Sequence, residues 1–155
     1  MTKTFGVHRL AQMAEVIRFV EFDSGHRVAR HESKCKHLHG HRYRLTVSVS
    51  GPIKADDSPE HGMVIDFGRV KEALMVIHDE YDHRFLVGQD DPLLPEMSSL
   101  LGIVVLPVQP TAENIAEISF ERLTGILSPL VVEWVEIQET TSCTARVTKK
   151  GTQHD

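Results

Sequence analysis

The 155-residue sequence is short of the features that mark several protein classes. Its two cysteines, Cys35 and Cys143, are too few for a disulfide framework, so each thiol needs its own explanation. It has no excess of positive charge. Seventeen lysines and arginines against 22 acidic residues give a formal net charge of -5, and no basic stripe is present to neutralise a run of phosphates. Nucleic acid is therefore not an expected partner. Long apolar runs are missing too: the longest, Gly102 to Val108, falls far short of the roughly 20 residues that cross a bilayer. With no signal-peptide core near Met1, the expectation is a cytoplasmic protein that makes no use of a membrane.

What is present is an ordinary globular composition, 41% apolar and 25% charged, which excludes a disordered chain. The length suits one domain over 1–155, with Met1 to Glu15 as an extension that carries no convincing period. Histidine is the one enrichment. Of ten in the chain, His31, His37, His39 and His41 all fall between Arg30 and Arg42, a clustering that invites a metal reading.

Val16 to Phe22 is rich in Val, Ile and Phe and reads as a strand ending at Ser24-Gly25; the polar stretch Ala29 to Lys36 reads as a loop. Tyr43, Leu45, Val47 and Val49 then alternate with polar residues from Arg42 to Ser50, a period of two that predicts a strand with one wet face. Behind a capping Asp66, the apolar positions Phe67, Val70, Leu74, Ile77 and Tyr81 recur at helical spacing. Val87 to Gln109 holds three prolines and reads as an irregular connection with one short strand at Ile103 to Leu106. Thr111 caps a second helix phased by Ile115, Ile118, Arg122 and Ile126 and closed by Pro129. Strands over Val131 to Gln138 and Thr144 to Thr148 follow. The order predicts an α+β layer: a four-stranded antiparallel sheet with both helices on one face.

His39-Gly40-His41 opens the clearest strand, and residues two apart on a strand share a side, so the two imidazoles converge. His26, just after the preceding strand, reaches the same point if the two strands pair as a hairpin. Three neutral imidazoles with an open position are the pattern of a catalytic zinc site. His31, His37 and His61 compete as ligands, without a strand to place them. Cys35, four residues before His39 between Lys34 and Lys36, sits where a thiol favours its thiolate; its alternative is a fourth ligand that closes the site. Asp82-His83 pairs a carboxylate with an imidazole, and Glu139 ends a strand where a carboxylate can grip the guanidine-like edge of a heterocycle. For both the plain alternative is a solvated side chain.

Taken in order, Phe22 to Arg27, Cys35-x-x-Leu38-His39-Gly40-His41-x-Tyr43, Gly62-Met63-Val64-Ile65-Asp66-Phe67, Tyr81-Asp82-His83-Arg84-Phe85-Leu86, Pro110-Thr111-Ala112-Glu113-Asn114 and Glu139-Thr140 resemble the 6-pyruvoyl- and 6-carboxy-tetrahydropterin synthase superfamily. The Cys35-to-His39 spacing and Val64-Ile65-Asp66-Phe67 look like its bacterial 6-carboxy branch. The folate branch carries Glu where this chain has Cys35. The resemblance implies zinc on His26, His39 and His41, Cys35 as base, Asp82 and His83 as proton relay, and Glu139 with Thr111 at the pterin. It also implies the tunnelling fold, in which the sheets of a homo-oligomer, a hexamer in the family, close a barrel with active sites between subunits. The implied reaction converts 7,8-dihydroneopterin triphosphate to 6-carboxy-tetrahydropterin, acetaldehyde and triphosphate. Its rivals are the pyruvoyl reaction on the same substrate, a non-catalytic zinc-stabilised module, and a zinc hydrolase.

Overall fold

Two long strands organise the molecule. In the computed structural model, which describes residues 12–149, β1 (Met13–His26) and β2 (His39–Pro52) pair antiparallel along their whole length, from Met13 opposite Pro52 to His26 opposite His39. The strand period puts Val20 and Phe22 of β1 on the same face as Tyr43, Leu45, Val47 and Val49 of β2, and those four β2 side chains are fully buried. On the β2 side the sheet continues antiparallel through β5 (Val131–Thr140) and β6 (Cys143–Thr148).

The helices α1 (Phe67–Tyr81) and α3 (Ala112–Ile126) close this core with Val70, Leu74, Ile77 and Tyr81 from the first and Ile115, Ala116 and Leu123 from the second. Each Val, Leu or Ile side chain among them contributes about 1.5–3 kcal/mol when withdrawn from water. Both helices begin as their sequences predict. Asp66 accepts from the Gly68 backbone N–H at 2.6 Å, and Thr111 Oγ1 accepts from the Asn114 N–H at 3.3 Å.

The four-stranded antiparallel sheet is corrected by two further strands. Beyond β1 come β3 (Arg84–Gly88) and β4 (Ile103–Leu106), paired parallel to β1 and to each other, so the sheet is six-stranded and mixed in the order β4-β3-β1-β2-β5-β6. The β3 residues follow α1 after a two-residue break, too short a run to separate from the helix by periodicity. A parallel partner is also remote in sequence. Two smaller corrections accompany it. β1 begins at Met13, inside the stretch assigned to the N-terminal extension, and the connection after β3 contains a short helix α2 (Leu94–Met97). Residues 1–11 of that extension lie outside the described residues.

β3 bears on the site directly. It grips only the end of β1, Ser24 to His26, and Ser24 Oγ donates to the Arg84 carbonyl at 2.9 Å. The last residue of β1 is thus flanked by strands on both sides, and His26 is 2% exposed.

Candidate metal centre

His26 and His39 face one another across β1 and β2, and His41, two residues on, shares their side. The ring centroids of His26 lie 4.4 Å from His39 and 5.2 Å from His41, with 5.0 Å between the latter two. One ring nitrogen from each falls within 4.8 Å of the other two, and among the described residues no other group of three or more His, Cys, Asp or Glu does the same.

The backbone beneath leaves no room for side chains. Gly25 pairs with Gly40, and a Cβ on Gly40 would stand 2.9 Å from the Ser24 carbonyl oxygen, while one on Gly25 would stand 2.4 Å from the Phe85 ring. Glycine at both positions is what lets β3, β1 and β2 converge under the imidazoles.

Two carbonyls aim the rings. His26 Nδ1 lies 2.7 Å from the Pro110 carbonyl and His39 Nδ1 lies 2.8 Å from the His37 carbonyl. A carbonyl can only accept, so both Nδ1 atoms carry the proton and both Nε2 lone pairs are free, the arrangement that orients a metal-binding histidine. His26 Nε2 is buried and has no hydrogen-bond partner. An orphaned buried acceptor is costly in a folded chain. A cation bound by the three rings accounts for it, so these residues fit a metal. Burial also holds the His26 and His41 pKa values below the ordinary one, which keeps both rings neutral, as ligands must be.

Glu139 extends inward from β5 to the edge of this group, its Oε1 3.4 Å from His26 Nε2 and 4.0 Å from His41 Nε2. Tyr43 OH donates to the same oxygen at 3.4 Å; burial raises the phenol pKa, and Glu139 adds to the rise, so Tyr43 stays protonated. Thr111 caps α3 one residue after Pro110 and so stands next to the carbonyl that orients His26.

Cys35 lies in a single 3₁₀ turn, Lys34–Lys36, half-buried, with its carbonyl accepting from Val28 N–H at 2.9 Å; it does not join the three-imidazole group. Neither do the competing histidines. His31 Nδ1 accepts from Ser33 N–H, His61 Nδ1 lies 2.6 Å from the Asp56 carbonyl, and His37 contributes its carbonyl instead of its ring.

Asp82 and His83 do come together. Asp82 Oδ2 accepts from His83 Nδ1 at 2.8 Å, and its Oδ1 accepts from the Asp23 N–H, which is the main reason its pKa is lowered. His83 holds a φ of 55°, a conformation costly for a residue with a Cβ, and its own N–H is tied to the Asp23 carbonyl at 2.7 Å. This dyad neighbours Asp23 and Arg42, whose side chains alternate to the sheet face opposite Phe22 and Tyr43. The His83 side chain is 80% exposed there. The sequence does not reveal the aiming carbonyls of Pro110 and His37 or the Tyr43 hydroxyl. Their only trace is that Pro110 and Tyr43 stand inside two of the motifs quoted above.

The fold and site together define an α+β sheet protein able to hold one metal ion on three imidazoles at the meeting of two strands. The family model described as 6-pyruvoyl tetrahydropterin synthase matches residues 15–150, and the chain belongs to that family. A 6-carboxy-5,6,7,8-tetrahydropterin synthase of Rickettsia conorii is 40% identical over 108 residues, covering 67% of this chain and 75% of the relative. One of Aquifex aeolicus is 31% identical over 158 residues, covering 84% and 95%. Among solved structures, an uncharacterized protein of Wolinella succinogenes superposes with a TM-score of 0.77 at 25% identity, over 90% of this chain and 99% of that one. The 6-pyruvoyl tetrahydropterin synthase of Caenorhabditis elegans, at 23% identity over 89% and 96%, shares the fold with a TM-score of 0.65.

Proposed function

We propose that the chain is a zinc-dependent 6-carboxy-tetrahydropterin synthase. It converts 7,8-dihydroneopterin triphosphate and one water to 6-carboxy-tetrahydropterin with release of acetaldehyde and triphosphate, on the route to queuosine. The observation that carries this reading is the set of three converging imidazoles whose buried member, His26, has a free and unpartnered Nε2. The names of the Rickettsia and Aquifex relatives support the choice of product.

His26, His39 and His41 hold the zinc, which supplies Lewis-acid stabilisation of negative charge developing on the substrate side chain. Glu139 receives the amino-pyrimidine edge of the pterin, and the neighbouring Tyr43 hydroxyl keeps one carboxylate oxygen aimed into the site. Thr111 adds a contact to the ring beside Pro110. Cys35 abstracts and returns a side-chain proton. His83 serves the second transfer, with Asp82 fixing its tautomer through Nδ1 and leaving Nε2 to face the reactant. The sites lie between subunits of a homo-oligomer, a hexamer.

Incubating the purified zinc-loaded protein with dihydroneopterin triphosphate and identifying products by mass tests this. Acetaldehyde and 6-carboxy-tetrahydropterin are expected. A pyruvoyl product without acetaldehyde assigns the reaction named in the family description. No turnover, together with unfolding on chelation, assigns a zinc-stabilised binding module instead.

A further inference from the structure

Residues 26–30, which carry the first imidazole out of β1, face the connection that runs from β3 to α3. Between them lies a cavity of about 280 Å³ lined by Arg27, Arg30, Asp91, Gln109, Pro110 and Asn114. Side chains therefore do not fill the space between the two segments, and polar ties span it. His26 Nδ1 donates to the Pro110 carbonyl, Arg30 N–H donates to Gln109 Oε1 at 3.1 Å, and Gln109 is itself held by Asn114 Nδ2 at 2.8 Å.

The third tie is of another kind. Arg27 Nε stands 3.2 Å from Asp91 Oδ2, and the two residues are 9% and 6% exposed. Neither atom meets hydrogen-bond geometry with any partner, so the contact is an ion pair in a poorly solvated place. The other Asp91 oxygen accepts from the Leu93 N–H at 2.9 Å and fixes the turn that opens the connection. Burying two charges costs more than a hydrophobic pair of the same volume commonly would, so fold stability alone is a weak reason for this pair.

We propose that Arg27 and Asp91 are positioning residues for the metal centre: their buried ion pair anchors the backbone next to His26 so that its Nδ1 stays on Pro110 and its Nε2 stays aimed at the ion. The proposal rests on the metal reading above and assigns the pair no contact with metal or substrate. Outer contacts that orient a ligating histidine typically govern about 10- to 100-fold in metal affinity.

Two substitutions separate positioning from mere support. Arg27→Met with Asp91→Asn removes both charges together and keeps an oxygen for the Leu93 N–H, so no buried charge is stranded. Asp91→Glu keeps the pair but displaces it by one methylene. Zinc affinity is read on the full metal-free chain by competition with a chelator, alongside its melting temperature and the visible spectrum of the cobalt(II)-loaded form. Expected are melting temperatures close to the parent's, zinc dissociation constants raised about tenfold in the double variant and several-fold in Asp91→Glu, and an altered cobalt spectrum. Parent-like zinc affinity and cobalt spectra in both variants overturn the proposal. If the unsubstituted chain takes up no zinc, the metal reading itself fails, and that is seen before any variant is made.

Discussion

His26 is buried, and its Nδ1 proton is committed to the Pro110 carbonyl, so the chemistry open to Nε2 is that of a lone pair. Protonating it, or the half-buried His41, costs more in the folded chain than in the unfolded one. Between the lowered folded values and the ordinary 6.5, the unfolded chain therefore binds more protons. Stability from these rings is complete above that ordinary value and is lost as pH falls through the folded ones. The melting temperature of the metal-free protein should fall on acidification from about pH 7.5 to about pH 5, and His26→Leu should flatten that dependence. Zinc affinity should weaken over the same window, since protons and metal compete for the same lone pairs. The thiol offers a separate test at this scale. Cys35 stands outside the imidazole group, so Cys35→Ala should bind one zinc as the parent does and lose turnover by two orders of magnitude or more, about the contribution of a general base. Loss of zinc on that substitution would make the thiol a ligand.

Gly25 and Gly40 pair where the strands leave no room for a side chain, and the site's geometry belongs to the strands before it belongs to the rings. In Gly40→Ala the new methyl meets the backbone of Ser24 and Gly25, which cannot yield without separating β1 from β2. The expected cost is about 1–3 kcal/mol of stability by chemical denaturation, with a weakened zinc site between the displaced rings. An unchanged metal affinity would show that the imidazoles adjust independently of strand spacing. At the far side of the core, Asp66→Ala removes the cap of α1 and should cost about 1 kcal/mol without touching zinc. Elements that announce themselves by period, β2 and the two long helices, are legible in the sequence, as are both caps and the shared face of His39 and His41. β3 is not: it is five residues long, and its last three, Leu86 to Gly88, are buried in a row beside parallel neighbours and leave no alternation to read. The start of β1 is hidden too, because Met13 and Glu15 lie on an exposed face, and the partners that hold the Glu15 carboxylate, Ser48 and Trp134, are remote in sequence. The Pro110 carbonyl and the Arg27–Asp91 pair join parts of the chain far apart in sequence, and such contacts appear only once the fold is known.

Among the described residues, the long helices α1 and α3 pack on one sheet face and leave the other uncovered by either. Met13, Ile17 and Phe19 stand there 64%, 51% and 50% exposed, among the ion pairs Arg42–Asp23, Arg44–Glu21 and Arg146–Glu136. Arg44 and Arg146 lie over the rings of Phe19 and Trp134. Among the described residues β3 covers the edge of β1 only from Ser24 onward, so a long stretch of strand edge and an apolar stripe coincide. Both are features common on surfaces that meet another chain, and they support the homo-oligomeric reading. The placement of the proposed proton carriers bears on the same point. The imidazole group and Glu139 belong to the helix-covered face, whereas Asp82 and His83 are anchored beside Asp23 and Arg42 on the other. If one substrate needs Cys35 and His83 together, neighbouring chains supply them. Co-expressing a Cys35→Ala chain with a His83→Ala chain tests this, because each variant alone should be inactive. With random assembly, about a quarter of the sites between unlike or like neighbours receive both intact residues, so activity should return to roughly that fraction of the parent's. Sites contained in a single chain predict no recovery at any mixing ratio, since every chain in the mixture then lacks one of the two groups.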